Sequence, residues 1–341
     1  MLKSLKAGVL QGARQLGVFS AVEQSSWRNH RLLILCFHGL SFTDEHDWSP
    51  GMYISIDTFR ERMRLLREHR SNVLPLGEAL QRLEGGALPP RSVAITFDDG
   101  EYNYYTLAYP ILKEFGFPST VYLPTYYCQN QMSVFDVTAS YVMWKGRGQK
   151  VDLTGLCPGE GEVEITVGNA RELFQKIHRY VHAEHFSARR KDDLAAELAR
   201  RLKIDYADLV GRRVFHLMTP QEVSEVAKNQ VAIELHTHRH RTPRDRDLFL
   251  REIRDNREAI LSITGIEPRH MCYPCGDYTR DFFPWLREER VRSATTCDVG
   301  FAAAGMEPMQ LPRLLDTNVM SSVEFGGWLA GFCAALPRRA I

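Results

Sequence analysis

The sequence predicts an α/β protein built on a parallel sheet or barrel, and three observations carry that prediction. Apolar runs of strand length recur along the chain. Amphipathic stretches of helical spacing separate them. Several of the runs end in polar residues suited to holding a metal ion, as expected where chemistry gathers at the carboxyl ends of parallel strands.

The first run, Arg31 to Phe37, is continuously apolar and stops at His38 and Gly39, so it reads as a buried strand opening into a loop. Residues 41–52 carry Asp44, Glu45, Asp47, Pro50 and Gly51 and read as loop. Phe59, Met63, Leu65 and Leu66 recur at helical spacing up to Arg70, with Asp57 or Thr58 as the cap. A short strand at 73–76 and a short helix from Gly77 to Leu83 lead to the Gly85–Gly86 turn. A second buried strand, Ser92 to Phe97, ends in Asp98, Asp99 and Gly100. A helix from Tyr104 to Phe115 and a strand from Thr120 to Leu123 continue the rhythm.

Residues 128–215 break it. Val163 to Val167 alternates like a half-exposed strand, and helical stretches follow around 170–185 and 189–203, so the segment reads as an insertion rather than a separate domain. Beyond Thr219 and Pro220, a capped helix leads to the strand Val231 to Leu235, which ends at His236. A long helix from Asp247 to Thr264 is followed by short strand candidates at His270–Tyr273, Ser293–Thr296 and Leu311–Leu315.

A chain of 341 residues allows one large α/β domain or two medium ones. Its 44% hydrophobic and 25% charged content is that of a soluble globular protein. The formal charge of +1 gives no global field to draw nucleic acid, which is not an expected partner. Cysteines at 36, 128, 157, 272, 275, 297 and 333 are odd in number and irregular in spacing, which argues for a reducing, cytoplasmic setting over a disulfide scaffold. Near the start, Leu2, Leu5, Val9, Leu10, Ala13, Leu16 and Val18 fall near helical spacing, but Gln11 and Arg14 interrupt any signal-peptide core. Residues 1–29 therefore form an amphipathic helix that either packs on the domain or rests peripherally on a membrane.

Three strand ends carry the chemistry. Adjacent carboxylates at Asp98 and Asp99 point in different directions, so one can bind a cation while the other serves as a base; a helix-capping turn is the alternative for this motif alone. His236 and His240 are four apart and share a face if a helical turn follows, which suits two imidazoles on one metal, with His238 facing elsewhere. One carboxylate and two imidazoles leave positions open for water and substrate. His38 ends the first strand at the same face. Cys272 and Cys275 have redox-motif spacing, but Pro274 precedes the second and no second pair exists to complete a zinc site. His178, His182 and His185, among Lys176, Arg179, Arg189 and Arg190, read as a solvated basic face. Tyr102, Tyr104, Tyr105, Tyr126, Tyr127 and Trp144 read mostly as core packing, with sugar stacking as a second use.

Together these residues resemble the polysaccharide deacetylase family, the NodB-homology carbohydrate esterases, over roughly residues 30–126 and 217–316. The resemblance implies a distorted (β/α) barrel as one catalytic domain over 30–320, with the insertion at about 128–215 and a C-terminal helix or tail at 321–341. It implies Asp98 as general base and Asp99, His236 and His240 as ligands of a divalent ion, zinc first, with cobalt or nickel also suited. Thr237 would steady the loop. The family's motif reading Arg-x-Pro-Tyr-Gly corresponds to Cys272, Tyr273, Pro274, Cys275 and Gly276, so its arginine, which orients the base, is missing. Arg313 on a late strand is the candidate substitute. Cys275, through its backbone N–H, Tyr273 and Arg313 are the candidate substrate or oxyanion contacts. The family takes a catalytic acid from a C-terminal histidine, but none follows His270 here. A permuted subgroup acting on poly-N-acetylglucosamine takes it from an N-terminal strand, which makes His38 the candidate acid. The implied reaction is hydrolysis of an N-acetyl group on a glycan or a lipid-linked precursor in bacterial surface-polysaccharide assembly. A deformylase or amidase on a lipid-linked sugar or small metabolite, and a degenerate carbohydrate-binding relative, are the rival readings.

Overall fold

The computed structural model describes residues 2–336, with side chains from Lys6 onward. Seven strands form a closed parallel barrel: β1 (Arg31–Phe37), β2 (Ser92–Phe97), β3 (Ser119–Leu123), β4 (Val231–Leu235), β5 (His270–Cys272), β6 (Ser293–Val299) and β7 (Leu311–Leu315). Each pairs with the next in chain order, and β7 closes on β1. This is the distorted (β/α) barrel implied above. The register fixes the site: Phe37 lies opposite Phe97, and Cys36 opposite both Thr96 and Leu315. The β6–β7 pairing shifts register between Thr295 and Val299, where Val299 meets Arg313.

β1 and β2 are buried on both faces, so their runs are largely apolar rather than alternating, while β4 alternates buried and half-buried residues. β1 and β2 show almost no exposed residue. Leu32, Ile34, Ala94, Tyr122, Cys272 and Leu311 join Leu76, Ala79, Leu80 and Leu83 of a flanking helix (Leu76–Glu84) in one core cluster. Truncating such a residue, Ile34→Ala for instance, would cost about 2–5 kcal/mol. Outside the barrel, Phe37, Phe59 and Phe97 pack with ring centroids 5.2–5.8 Å apart.

Local details differ from the expectations above: the strand expected at 73–76 is only Asn72–Val73, and the helix after it starts at Leu76. The helix Ile56–Glu68 is capped by Ser55, whose hydroxyl accepts from the Thr58 N–H; Asp57 and Thr58 lie inside its first turn. The loop at 41–52 holds a short helix, Glu45–Trp48. The helix Leu2–Gln15 pairs Lys6 with Glu324 of the helix Ser322–Ala330 and buries Leu10, while Val9 and Leu16 are exposed. The Leu2 and Leu5 side chains lie outside the described ones. Arg28 is fully buried and donates to the carbonyls of Leu329, Arg31 and Ser92, tying the N-terminal segment to the starts of β1 and β2.

The chain divides into two compact units, residues 1–126 with 220–341, and residues 127–219. The second holds the helices Phe135–Lys145, Ala170–Ala183 and Ala188–Arg201 and an antiparallel pair, Lys150–Asp152 with Glu162–Glu164. Its core gathers Val142, Leu173, Ile177, Val181, Leu194 and Leu198. Among the described residues, no helix is long and apolar enough to cross a membrane.

Candidate metal centre

At the carboxyl ends of β2 and β4, three side chains converge. Asp99 Oδ1 lies 3.3 Å from His236 Nε2 and 3.2 Å from His240 Nε2. Donors around a tetrahedral zinc ion at about 2.0–2.1 Å stand roughly 3.3–3.4 Å apart, so these separations match edges of one coordination polyhedron. The protonation pattern points the same way. His236 Nδ1 lies 2.8 Å from the Cys272 carbonyl, which can only accept, so Nδ1 carries the proton. In the neutral ring Nε2 is then a lone pair aimed at an anionic oxygen. Only a cation or a proton between them resolves that opposition. The residues therefore fit a divalent ion with open positions.

The backbone is shaped for the purpose. Asp99, Thr237, His240 and Cys275 all adopt left-handed φ, at 68°, 59°, 54° and 56°. Each such non-glycine residue costs on the order of 1–2 kcal/mol, and strain of this kind concentrates at functional sites. A network from the helix Arg246–Thr264 holds the His236–Arg241 loop in place. Asn256 accepts from the His236 N–H and donates to the Leu123 carbonyl and Thr125 Oγ1. Thr125 also meets His238 at 2.8 Å, which turns that imidazole away from the centre. Buried Glu252 accepts from the Arg239 N–H and both flanking guanidinium groups. Thr237, itself buried, accepts from the Arg241 N–H at 3.0 Å.

Asp98 stands beside this triad, 3% exposed, and is gripped by Arg313. Arg313 Nη1 lies 2.7 Å from Asp98 Oδ1 and Nη2 2.8 Å from Oδ2, a bidentate fork. Nε donates to the Thr296 carbonyl at 3.0 Å. Burial alone would raise the Asp98 carboxyl, but the charge and hydrogen bonds of Arg313 outweigh it, helped by His38 and His236, and hold it well below the usual carboxylate range. Arg313 is itself 2% exposed with its fork committed to Asp98, so it holds the carboxylate and is not the substrate contact the sequence left open. Cys36 and Cys272 place their thiols 3.6 and 3.4 Å from Asp98 Oδ2. Asp98, His236 and Cys272 also lie close enough to share an ion. That set is unsuited: Arg313 occupies the carboxylate, and burial pushes the Cys272 thiol far up, so it stays protonated.

His38 Nε2 faces Asp98 Oδ2 across 3.9 Å, and its Nδ1 is buried without a hydrogen-bond partner among the described residues. Burial pushes this imidazole down, against the charges of Asp98 and Asp99. A brace that sequence reasoning missed sets its position. Glu101 accepts from the Tyr53 hydroxyl at 2.7 Å and from Asn103, and Asn103 accepts from the Leu40 N–H at 3.1 Å. A Cβ on Gly39 would meet Glu101 at 2.5 Å and the Tyr53 ring at 2.6 Å, so only glycine fits after His38. Burial, with the charges of Asp99 and Glu45, raises the Glu101 carboxyl to about 8, opposed by its bonds to Tyr53 and Asn103.

Cys275 is exposed on the turn after β5. Partial desolvation and the charge of Asp99 push its thiol up. Tyr273 does not join the site: its ring is buried against Tyr278 and Phe282, and its hydroxyl donates to the Met309 carbonyl at 2.9 Å. Strand alternation explains this, because Cys272 points into the barrel and the next residue must point out.

A closed parallel barrel with an Asp–His–His centre and a clamped carboxylate at its carboxyl rim has the build of a metal-dependent hydrolase. The polysaccharide deacetylase model matches residues 85–153 and 176–292, more than half of the chain, and the chain belongs to that family. A poly-β-1,6-N-acetyl-D-glucosamine N-deacetylase of Staphylococcus aureus is 38% identical over 72 residues, 21% of this chain and 25% of the relative. The chain thus matches about a quarter of that relative's length. The fold resembles a Streptococcus pyogenes deacetylase, PplD, solved with acetate (TM-score 0.56, 16% identity, 86% of this chain and 96% of that one). It also resembles IcaB from Ammonifex degensii (TM-score 0.56, 18% identity, 88% and 97%).

Proposed function

We propose that the protein hydrolyses the N-acetyl group of an N-acetylated sugar, in a bacterial surface polysaccharide or its lipid-linked precursor, and releases acetate. The observation that carries the proposal is the convergence of His236 and His240 on Asp99 Oδ1 beside a separately held Asp98. Asp99, His236 and His240 would hold the ion, and zinc suits the donor set best, with cobalt or nickel as substitutes. When bound, the ion would supply Lewis acidity, easing ionisation of water and offsetting charge on the acetamide oxygen.

Asp98 takes the proton of the attacking water, and Arg313 keeps its carboxylate oriented and ionised. The backbone N–H of Cys275 donates to the carbonyl oxygen as it gains charge. As the new C–O bond commits the intermediate, the C–N bond breaks and His38 gives its proton to the leaving amine. Burial lowers the His38 pKa overall and the charges of Asp98 and Asp99 only partly offset it, so the proton it delivers is weakly held and passes readily to the more basic amine. An N-terminal histidine in this role is the arrangement of the permuted subgroup. The Staphylococcus aureus relative, named for its action on poly-β-1,6-N-acetyl-D-glucosamine, supports a polymer of that kind as substrate. A cytoplasmic setting, peripheral to the inner membrane, fits a lipid-linked precursor.

The test is acetate release from β-1,6-linked N-acetylglucosamine oligomers by the chelator-treated chain, before and after an excess of zinc is restored. Activity should appear only with the ion. Zinc bound tightly without acetate release from these oligomers or from lipid-linked N-acetylated sugars would overturn the proposal.

A further inference from the structure

A second Asp–His–His set lies wholly within the unit formed by residues 127–219. Asp136 sits in the first turn of the helix Phe135–Lys145. His178 and His182 are one turn apart on the helix Ala170–Ala183 and so share a face. One donor atom from each of the three lies within 4.8 Å of the others. His178 Nε2 is 3.5 Å from Asp136 Oδ2, and the two imidazole centroids are 4.2 Å apart. The first separation is already that of two ligands on one tetrahedral ion, roughly 3.3–3.4 Å. The exposed His182 needs a shift on the order of 1 Å, within a side-chain torsion adjustment.

One oxygen of Asp136, Oδ1, is shielded from solvent and has no hydrogen-bond partner among the described residues, while the side chain as a whole is half exposed and turns Oδ2 toward His178. A cation held by both carboxylate oxygens would give Oδ1 the partner it lacks.

We propose that Asp136, His178 and His182 form a second divalent-cation site, of zinc type, that clips the helix Phe135–Lys145 to the helix Ala170–Ala183. Two imidazoles select against calcium and magnesium, which take oxygen ligands. Three protein ligands leave one position for water, and the clip reinforces a unit otherwise held by its own small core. The basic histidine face read from the sequence thus contains a ligand pair, completed by an aspartate that sequence spacing could not place.

The experiment is zinc stoichiometry on the full chain, stripped with chelator, reloaded, passed through a desalting column and measured by mass spectrometry of the metal. The wild type should hold two equivalents, and His182→Ala one. The Asp99→Asn/His236→Ala variant should also hold one, and cobalt in it should give the intense visible absorption of a tetrahedral site, lost on adding His182→Ala. Failure of the Asp99→Asn/His236→Ala variant to fold leaves the comparison of wild type with His182→Ala, whose exposed side chain can be removed without loss of packing. Equal zinc content in wild type and His182→Ala would overturn the second site, whatever the outcome at Asp99.

Discussion

Removing Arg313 should be among the most damaging single changes in the barrel, and the reason can be measured. Its guanidinium meets both oxygens of Asp98 at 2.7 and 2.8 Å, with both side chains almost fully buried. Deleting one member of a buried pair leaves the other charge uncompensated, a loss of about 3–5 kcal/mol. Arg313→Met strands Asp98; Asp98→Asn strands Arg313. If the two losses were independent, the double variant would lose roughly 6–10 kcal/mol, more than many domains possess. Because each removes the other's penalty, the double variant should be no less stable than either single one, a coupling of at least about 3 kcal/mol. The assay is urea unfolding of all four proteins in chelator, so that metal binding does not enter. Arg313→Met should also lose hydrolysis while keeping bound zinc, since Asp98 is not among the proposed ligands. Additive losses in the cycle would refute the pairing as the basis of the site's integrity.

Three other outcomes follow from the geometry. His38→Ala should slow acetate release by ~100- to 10,000-fold with zinc content unchanged, and an unaltered rate would remove His38 from the acid role. Cys275→Gly should keep activity within about threefold and stability within about 1 kcal/mol, because the left-handed backbone suits glycine and the N–H remains; a loss beyond tenfold would mean that the thiol itself acts. His270, 8% exposed with Nδ1 2.9 Å from Ser293 Oγ, has its pKa lowered from 6.5 to about 4 by burial and then by Arg292 and Arg269. The unfolded chain takes up this proton first, so the stability His270 confers is complete above pH 6.5 and is lost as pH falls toward 4, a change of about 3 kcal/mol. His270→Gln should flatten denaturant stability over that window, and an unchanged slope would exclude His270 as its source.

The barrel was legible in the sequence because its first strands write themselves as apolar runs, Arg31–Phe37 above all, and because stretches of strand length recur between helical ones; Ser293–Val299, rich in polar residues, was legible only in part. The candidate metal-site side chains stand out in the sequence because they sit at strand ends, where local spacing brings them to notice. Asn256 and Glu252 do not, since polar residues on an amphipathic helix look solvated until the loop they hold is folded over them. Glu101 was hidden for the same reason. Its partner Tyr53 comes from a short strand, Tyr53–Ile54, far away in sequence, and nothing in the sequence marks a carboxylate that will be buried. Tyr273 was misplaced because motif correspondence ignores which face of the strand a residue takes.

The missing motif arginine shows how a barrel tolerates that kind of loss. Cys272 occupies its position and points inward, with its thiol 3.4 Å from Asp98 and 3.0 Å from Arg313 Nη2. A cysteine leaves room there that an arginine would fill. Arg313 reaches the same space from β7, which lies beside β1, itself the neighbour of the strand that carries Asp98. The register shift in β6–β7 sets Arg313 opposite Val299, beyond the point where the regular pairing ends. What the proposed chemistry requires is a fork of donors on the Asp98 carboxylate, and a closed ring of strands offers more than one direction from which to supply it. A vacancy in one strand's motif is therefore weak evidence of lost activity unless the space it leaves is also empty, and here Arg313 fills it.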